Sequence, residues 1–257
     1  MAQISASIIQ AQIKWHDPSH NIAHFAQLIA KVNPDTDLII LPEMWSSGFT
    51  MKAHLYHDHD LKALDAMKSW SKEKDALIIG SLIVKEQEQY FNRSYIIKDG
   101  EVAAQYDKKH LFGYAGENRF FQPGEDKVIY EYKGFRICPM ICYDLRFPVW
   151  CRNIEDYDIL VFSANWPDKR IEAWDSLLKS RSIENQCFVL ACNCIGEDVW
   201  HNNYTGHSSA YAYDGAQLAF SENEESILTC SLDKEKMLAY REALPFLKDR
   251  DQFTLTS

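Results

Sequence analysis

No apolar run in this 257-residue chain approaches the roughly 18–20 residues that a bilayer-spanning helix needs, so a transmembrane protein is not expected. A secretion signal is not expected either: Met1-Ala2-Gln3-Ile4-Ser5-Ala6 passes straight into a strand-like segment, with no basic n-region and no cleavage site. The chain is therefore expected in the cytoplasm, with its seven cysteines reduced rather than paired. Positive charge is in deficit. A net charge of −10 argues against nucleic acids and anionic membranes as partners, because phosphates attract Lys and Arg. A small anionic substrate stays open, provided a local cation binds it. Internal repeats, low-complexity runs and linkers are absent too, which predicts one domain over 1–257. With 46% apolar and 13% aromatic residues, a chain of this length buries a sizeable core without staples.

The patterns that are present alternate between two periods. Ile4 to Ile13 reads as a strand, and Asp17-Pro18 as an N-cap with Pro at the first helical position, opening a helix to about Lys31. Asp37 to Leu41 and Ala76 to Val84 are short and mostly apolar, as in a sheet buried on both faces. Leu61, Leu64, Met67 and Trp70 mark a helix over Leu61 to Lys74. Hairpin turns are expected at Lys98-Asp99-Gly100 and Lys133-Gly134. Further strands are expected at Phe135 to Ile141, Asp158 to Ser163, Cys187 to Ile195 and Ile227 to Leu232, and helices at Ile171 to Asn185 and Lys234 to Ala243. This order predicts an α/β protein with mixed sheets.

Three strand exits carry chemistry. Cys142 follows the apolar run Phe135 to Ile141, Glu43 follows Leu38-Ile39-Ile40-Leu41-Pro42, and Lys108 follows Tyr106-Asp107. Each has a bland reading: a buried thiol, a solvated turn carboxylate, a surface ammonium. Together, at sites where ligands collect, they point to acyl transfer by a cysteine nucleophile. An ammonium near the thiol is expected to lower its pKa. Negative charge developing on the attacked carbonyl needs fixed donors, here Lys108 and the backbone N–H of Tyr143; one such donor contributes roughly 3 kcal/mol. Glu43 would accept the thiol proton, deliver it to the leaving ammonia and then activate water.

Leu41-Pro42-Glu43-Met44-Trp45, Lys108-Lys109-His110-Leu111-Phe112 and Ile141-Cys142-Tyr143-Asp144-Leu145-Arg146-Phe147-Pro148 resemble the Glu, Lys and Cys motifs of the nitrilase superfamily, and Arg181-Ser182-Ile183-Glu184-Asn185-Gln186 resembles its later helix signature. The resemblance implies a four-layer α-β-β-α sandwich, hydrolysis of non-peptide carbon–nitrogen bonds, no metal or other cofactor, and homo-oligomers. It puts the base on Glu43, the lysine on Lys108, the nucleophile on Cys142 and a second glutamate on Glu117, orienting Lys108 or the water; the bland alternative for Glu117 is a surface loop carboxylate. Asp107 departs from the Arg often found there in the family. Met44-Trp45, Ser163-Ala164-Asn165-Trp166-Pro167 and Tyr143 to Pro148 are most similar to the omega-amidase branch, whose members hydrolyse the terminal amide of 2-oxoglutaramate or 2-oxosuccinamate. A substrate carboxylate would need an arginine, with Arg119, Arg146, Arg170 and Arg181 as candidates and Phe147 and Trp166 as pocket walls.

Other signals carry less. His54, His57 and His59 lack zinc spacing and are expected in a solvated loop with an Asp cap. Cys192-Asn193-Cys194 is no CxxC motif, and a strand would point both thiols to one face. Asn92-Arg93-Ser94 and Asn203-Tyr204-Thr205 match glycosylation acceptors that a cytosolic chain would not use. Three competing readings stand beside the omega-amidase. One is a hydrolase of another small amide or nitrile, one a Cys-His hydrolase or amidotransferase using Cys142 with His110 or His207, and one an inert ligand-binding relative.

Overall fold

The computed structural model describes residues 2–255, so the two ends of the expected 1–257 domain lie outside the described residues. In chain order the elements begin with β1 (Gln3–Gln10), α1 (Pro18–Lys31), β2 (Leu38–Ile40), α2 (Ala53–Lys74), β3 (Leu77–Glu86), β4 (Gln89–Lys98) and β5 (Glu101–Asp107). There follow β6 (Tyr130–Tyr132), β7 (Phe135–Ile141), α3 (Pro148–Cys151), β8 (Ile159–Ser163), α4 (Ile171–Asn185) and β9 (Phe188–Cys192). The chain continues with β10 (Ile195–Glu197), β11 (Asn203–Tyr211), β12 (Gln217–Glu222), β13 (Ser226–Asp233) and α5 (Lys234–Ala243). Strands β13-β1-β2-β3-β4-β5 form one sheet and β10-β11-β9-β8-β7-β6 a second, with β12 paired to β11. Both are mixed: β1-β2-β3 and β7-β8-β9 are parallel, and the flanking strands antiparallel.

Alternation along the strands builds the layers. Ile8, Ile40 and Ile79 of the first sheet pack against Ile137, Val161 and Leu190 of the second. Their neighbours Ile9, Ile39 and Ile78 turn the other way, onto Phe25, Met67 and Trp70 of α1 and α2. Cys138, Leu160 and Phe162 likewise meet Trp174 and Leu178 of α4. Successive side chains point to opposite faces of a strand, so strands covered on both faces need continuous apolar runs. The result is the expected four-layer α-β-β-α sandwich. Among the described residues no helix is long and apolar enough to cross a membrane.

Two local expectations fail. Helix α2 starts at Ala53, not Leu61, and carries His54, His57 and His59 on its first turns instead of in a loop. Its N-cap, Lys52, makes no side-chain cap. Packing of Ala53 against Met44, Ile83 and Phe121 starts this helix without a capping residue. The second failure concerns the thiols of Cys192 and Cys194. Cys192 joins the core between the sheets and Cys194 the core under the helices, because β9 ends at Cys192 and the alternation stops. The side chain of Asn193 bonds the carbonyls of Trp166 (2.9 Å) and Gly206 (2.6 Å), taking the chain out of the strand.

Asp60, on α2, is not a cap but a buried carboxyl that accepts from Ser46 Oγ and from the Ile83 N–H, 2.6 Å away. Burial, opposed by those two bonds, pushes it up to about 7. A carboxyl raised in the folded state keeps a proton that the unfolded chain releases. Its contribution to stability is complete below about pH 4 and is lost as pH rises toward about 7. Asp60→Asn copies the protonated acid. It should gain on the wild type by up to about 4 kcal/mol between pH 4 and pH 8, measured by urea unfolding; parallel stability curves would refute this.

Candidate active site

Glu43 lies in the turn after β2, Lys108 directly after β5 and Cys142 directly after β7, so the first sheet supplies two of the groups and the second sheet the third. The Glu43 turn is tight: Met44 has φ +41, and the N–H of Gly48 closes on the Met44 carbonyl at 2.8 Å. Gly48, at φ +75, lies against Trp15, where a Cβ would come within 1.5 Å of the ring. Cys142 opens a short 3-10 helix, Cys142–Arg146, with φ +43. That left-handed conformation is costly for a residue with a Cβ, and such strain clusters at functional sites.

Lys108 Nζ donates to Glu43 Oε1 at 2.8 Å and to Glu117 Oε1 and Oε2 at 3.0 and 2.9 Å. All three side chains are fully shielded from solvent. The bland readings of a surface ammonium and a solvated carboxylate therefore fall, for Glu117 as for Glu43. The N–H of Phe112 donates to Glu117 Oε2 at 2.5 Å, and the N–H of Asn165 to Glu43 Oε2 at 3.0 Å. Cys142 Sγ points at the Asn165 carbonyl, 3.9 Å away. Burial alone would pull the Lys108 ammonium down, but Glu117 and Glu43 together outweigh it and hold it up. Burial raises the Glu117 carboxyl, with Lys108 pulling against it and Glu43 adding to the rise.

The thiol departs from expectation. Burial, then the charge of Glu43, push Cys142 well up, and Lys108 only partly offsets them. The resting sulfur is thus a thiol rather than a thiolate, because desolvation and a carboxylate outweigh one ammonium already engaged by two carboxylates. A thiol held this way attacks only with the help of a base.

Cys142, Lys108 and Glu43 open into a cavity of about 280 Å³, a size suited to a small substrate. Of the residues expected there, Tyr143, Arg146, Trp166 and Arg170 line it, and Phe147 and Arg119 do not. Phe147 instead stacks on the His110 ring with centroids 3.6 Å apart, and Arg119 is exposed. Arg181 is buried in structural bonds to the Leu145 carbonyl (2.7 Å) and Glu184 (2.9 Å). The Arg146 guanidinium lies over Trp166 at 4.8 Å and that of Arg170 over Phe112 at 5.2 Å. Neither has a carboxylate partner among the described residues. His110 pairs with Asp144 and His207 with Asp175 and Glu222; neither lines the cavity, which removes the geometric basis of the Cys-His alternative. Asp107 closes a bridge to Arg93 at 2.7 Å, away from the cavity. Among the described residues no three His, Cys, Asp or Glu side chains are grouped to hold a metal ion.

Sequence reasoning missed Asn92 and Asn165. Asn92, on β4 and fully buried, donates from Nδ2 to Glu43 Oε1 at 2.8 Å and to Glu117 Oε1 at 3.2 Å. The one available signal was an amide inside an otherwise strand-like run, Tyr90 to Ile97, and it was read as an unused glycosylation acceptor. Asn165 additionally ties its side-chain amide to the Glu43 carbonyl at 2.6 Å. Two aromatics at the cavity mouth, Tyr114 and Trp200, were also not anticipated.

A two-sheet α/β sandwich whose strand ends converge a Glu, a Lys and a Cys on a small cavity defines a class of thiol-bearing hydrolase sites. The carbon–nitrogen hydrolase family matches residues 5–242, and the chain belongs to it. It is 37% identical over 256 residues to the omega-amidase YafV of Yersinia enterocolitica, covering 99% of this chain and 100% of that one. It is 34% identical to a 2-oxoglutaramate amidase of Bacillus subtilis, covering 95% and 96% of the two chains. Protein XC1258 of Xanthomonas campestris, a CN-hydrolase superfamily member with an arsenic adduct in its active site, superposes with a TM-score of 0.96, 34% identity and full coverage of both chains. The protein is an amidase of this family, and the resemblance read from its motifs is borne out.

Proposed function

We propose that the protein hydrolyses the terminal amide of small 2-oxo dicarboxylic acid monoamides such as 2-oxoglutaramate and 2-oxosuccinamate, releasing the oxo acid and ammonia. One observation carries this reading: two guanidiniums without carboxylate partners among the described residues, Arg146 and Arg170, face the cavity that holds Cys142 in a chain of net charge −10. Such cations favour a substrate with a carboxylate at the end remote from its amide. The identity to an omega-amidase and a 2-oxoglutaramate amidase supports the same class.

In this reading Cys142 Sγ attacks the amide carbon as Glu43 takes the thiol proton. The oxyanion of the tetrahedral intermediate is held by Lys108 Nζ and the N–H of Tyr143. Glu43 returns the proton to the departing ammonia, leaving a thioester on Cys142. Water then enters, gives a proton to Glu43 and attacks the thioester carbon; the acid leaves and the proton returns to sulfur. Glu117 keeps Lys108 oriented. We read the chain as one such domain, working in the cytoplasm as a homodimer or larger homo-oligomer, as its family resemblance implies.

The test is ammonia release from 2-oxoglutaramate, with Cys142→Ala as the control. Rapid release that the control lacks is expected. Arg146→Met and Arg170→Met should raise KM for that substrate by roughly 10- to 100-fold, the value of a charged hydrogen bond, while sparing neutral amides such as propionamide. No release from 2-oxoglutaramate beside turnover of neutral amides would sink the substrate assignment.

A further inference from the structure

Behind the elbow that presents Cys142 sits a carboxylate the proposed reaction does not use. Asp144 is fully buried. Its Oδ2 accepts from the backbone N–H of Ile141 at 3.0 Å and from the Tyr106 hydroxyl at 2.8 Å. Its Oδ1 accepts from the backbone N–H of His110 at 2.9 Å and lies 2.9 Å from His110 Nδ1. Ile141 immediately precedes Cys142, and His110 follows Lys108 by two residues. One carboxylate therefore bonds the backbone beside the thiol, which leaves the second sheet, to the backbone beside the ammonium, which leaves the first.

We propose that Asp144 is a positioning residue for the amidase reaction, holding the Lys108 ammonium and the Cys142 sulfur in register across the two sheets. The proposal rests on the reading of Cys142 as nucleophile and Lys108 as oxyanion donor. Its chemistry is specific. The two carboxylate oxygens each receive one backbone N–H, and a backbone N–H cannot reverse its role. The His110 ring can donate or accept, whereas the Tyr106 hydroxyl, which also takes the N–H of Lys109 at 3.3 Å, has its proton left for Asp144. An asparagine keeps the shape but has only one oxygen, and its amino group must face the N–H of Ile141 or that of His110. Either choice sets donor against donor in a buried site and breaks the tie on one side. Trp150 Nε1 donates to the Tyr106 hydroxyl at 3.0 Å, steadying the partner on the first-sheet side.

The experiment measures kcat and KM of full-length Asp144→Asn, with active sites counted by alkylation of Cys142. A drop in kcat of about 100-fold per active site, the scale of an ångström-level misplacement of reacting groups, is expected. KM should stay within about threefold, because substrate binding through Arg146 and Arg170 does not pass through Asp144. Tyr106→Phe and His110→Ala keep both backbone bonds and should retain kcat to within about tenfold. An Asp144→Asn enzyme with wild-type kcat per site, or one changed in KM alone, overturns the proposal. Hydrogen exchange in the wild type tests it where that variant does not fold. The amide of His110 lies outside every strand, yet it should exchange as slowly as strand amides; fast exchange overturns the pin. Failure of the functional reading looks different: the wild type would hydrolyse no small amide while the His110 amide still exchanged slowly.

Discussion

Glu43→Gln is expected to separate two reactions of Cys142 that a simple loss of the site would abolish together. Hydrolysis of 2-oxoglutaramate should fall by roughly 10²- to 10⁴-fold, the usual contribution of a positioned acid–base group, because in the proposed mechanism Glu43 takes the thiol proton, protonates ammonia and activates water. Alkylation of Cys142 by iodoacetamide at about pH 8 should instead become faster. The reason is the sign of the charges around sulfur. Burial and Glu43 both push the thiol up; Lys108 is the charge that pulls it down, joined by the smaller effect of the backbone bond at Asn165. Removing the Glu43 charge deletes one of the two upward pushes and leaves the ammonium in place, so a larger fraction ionises at a given pH. All seven cysteines are buried, and of them Cys142 alone lines the cavity beside Lys108 and Glu43, so modification there can be read by mass without interference. If alkylation slowed in step with hydrolysis, Glu43 would not be raising the thiol, and its role as the base would lose this support.

Lys108→Met should cost both activity and stability. The ammonium sits between two carboxylates that are wholly shielded from solvent. Removing it strands their charges, and breaking a buried pair in this way typically costs about 3–5 kcal/mol. In the proposed mechanism it also removes an oxyanion donor, so turnover should fall by at least about 10²-fold. The stability loss should depend on pH. Burial raises the Glu117 carboxyl even in the wild type, and Lys108 is what pulls against that rise. Without Lys108 the carboxyl goes higher still. A group raised in the folded state contributes stability on the acid side and loses it as pH climbs through its folded value. The gap in Tm between wild type and Lys108→Met should therefore be wider at pH 8 than at about pH 5.5. A gap equal or narrower at pH 8 would show that the two carboxylates are not held apart by this lysine.

What could be read before folding was what the chain encodes locally. Asp17-Pro18 opened α1 where a cap and a first-turn proline placed it, and the alternation of Ile8 with Ile9 or Leu160 with Val161 set which face each strand residue covers. The same locality made Glu43, Lys108 and Cys142 visible, since each directly follows an apolar run whose end is marked in the chain itself. Tertiary structure decided everything that depends on which segments become neighbours. It started α2 eight residues early, on packing alone. It took Phe147 and Arg119 out of the cavity and left Arg146 and Arg170 in it. It brought Asn92, from the middle of a strand, onto both glutamates. It also reversed the expected sign at Cys142. The thiol's affinity for its proton is set by the depth of burial and by a carboxylate 99 positions earlier in the chain, and no local pattern carries either quantity. Periodicity is a property of neighbours along the chain, and electrostatics at an active site is a property of neighbours in space.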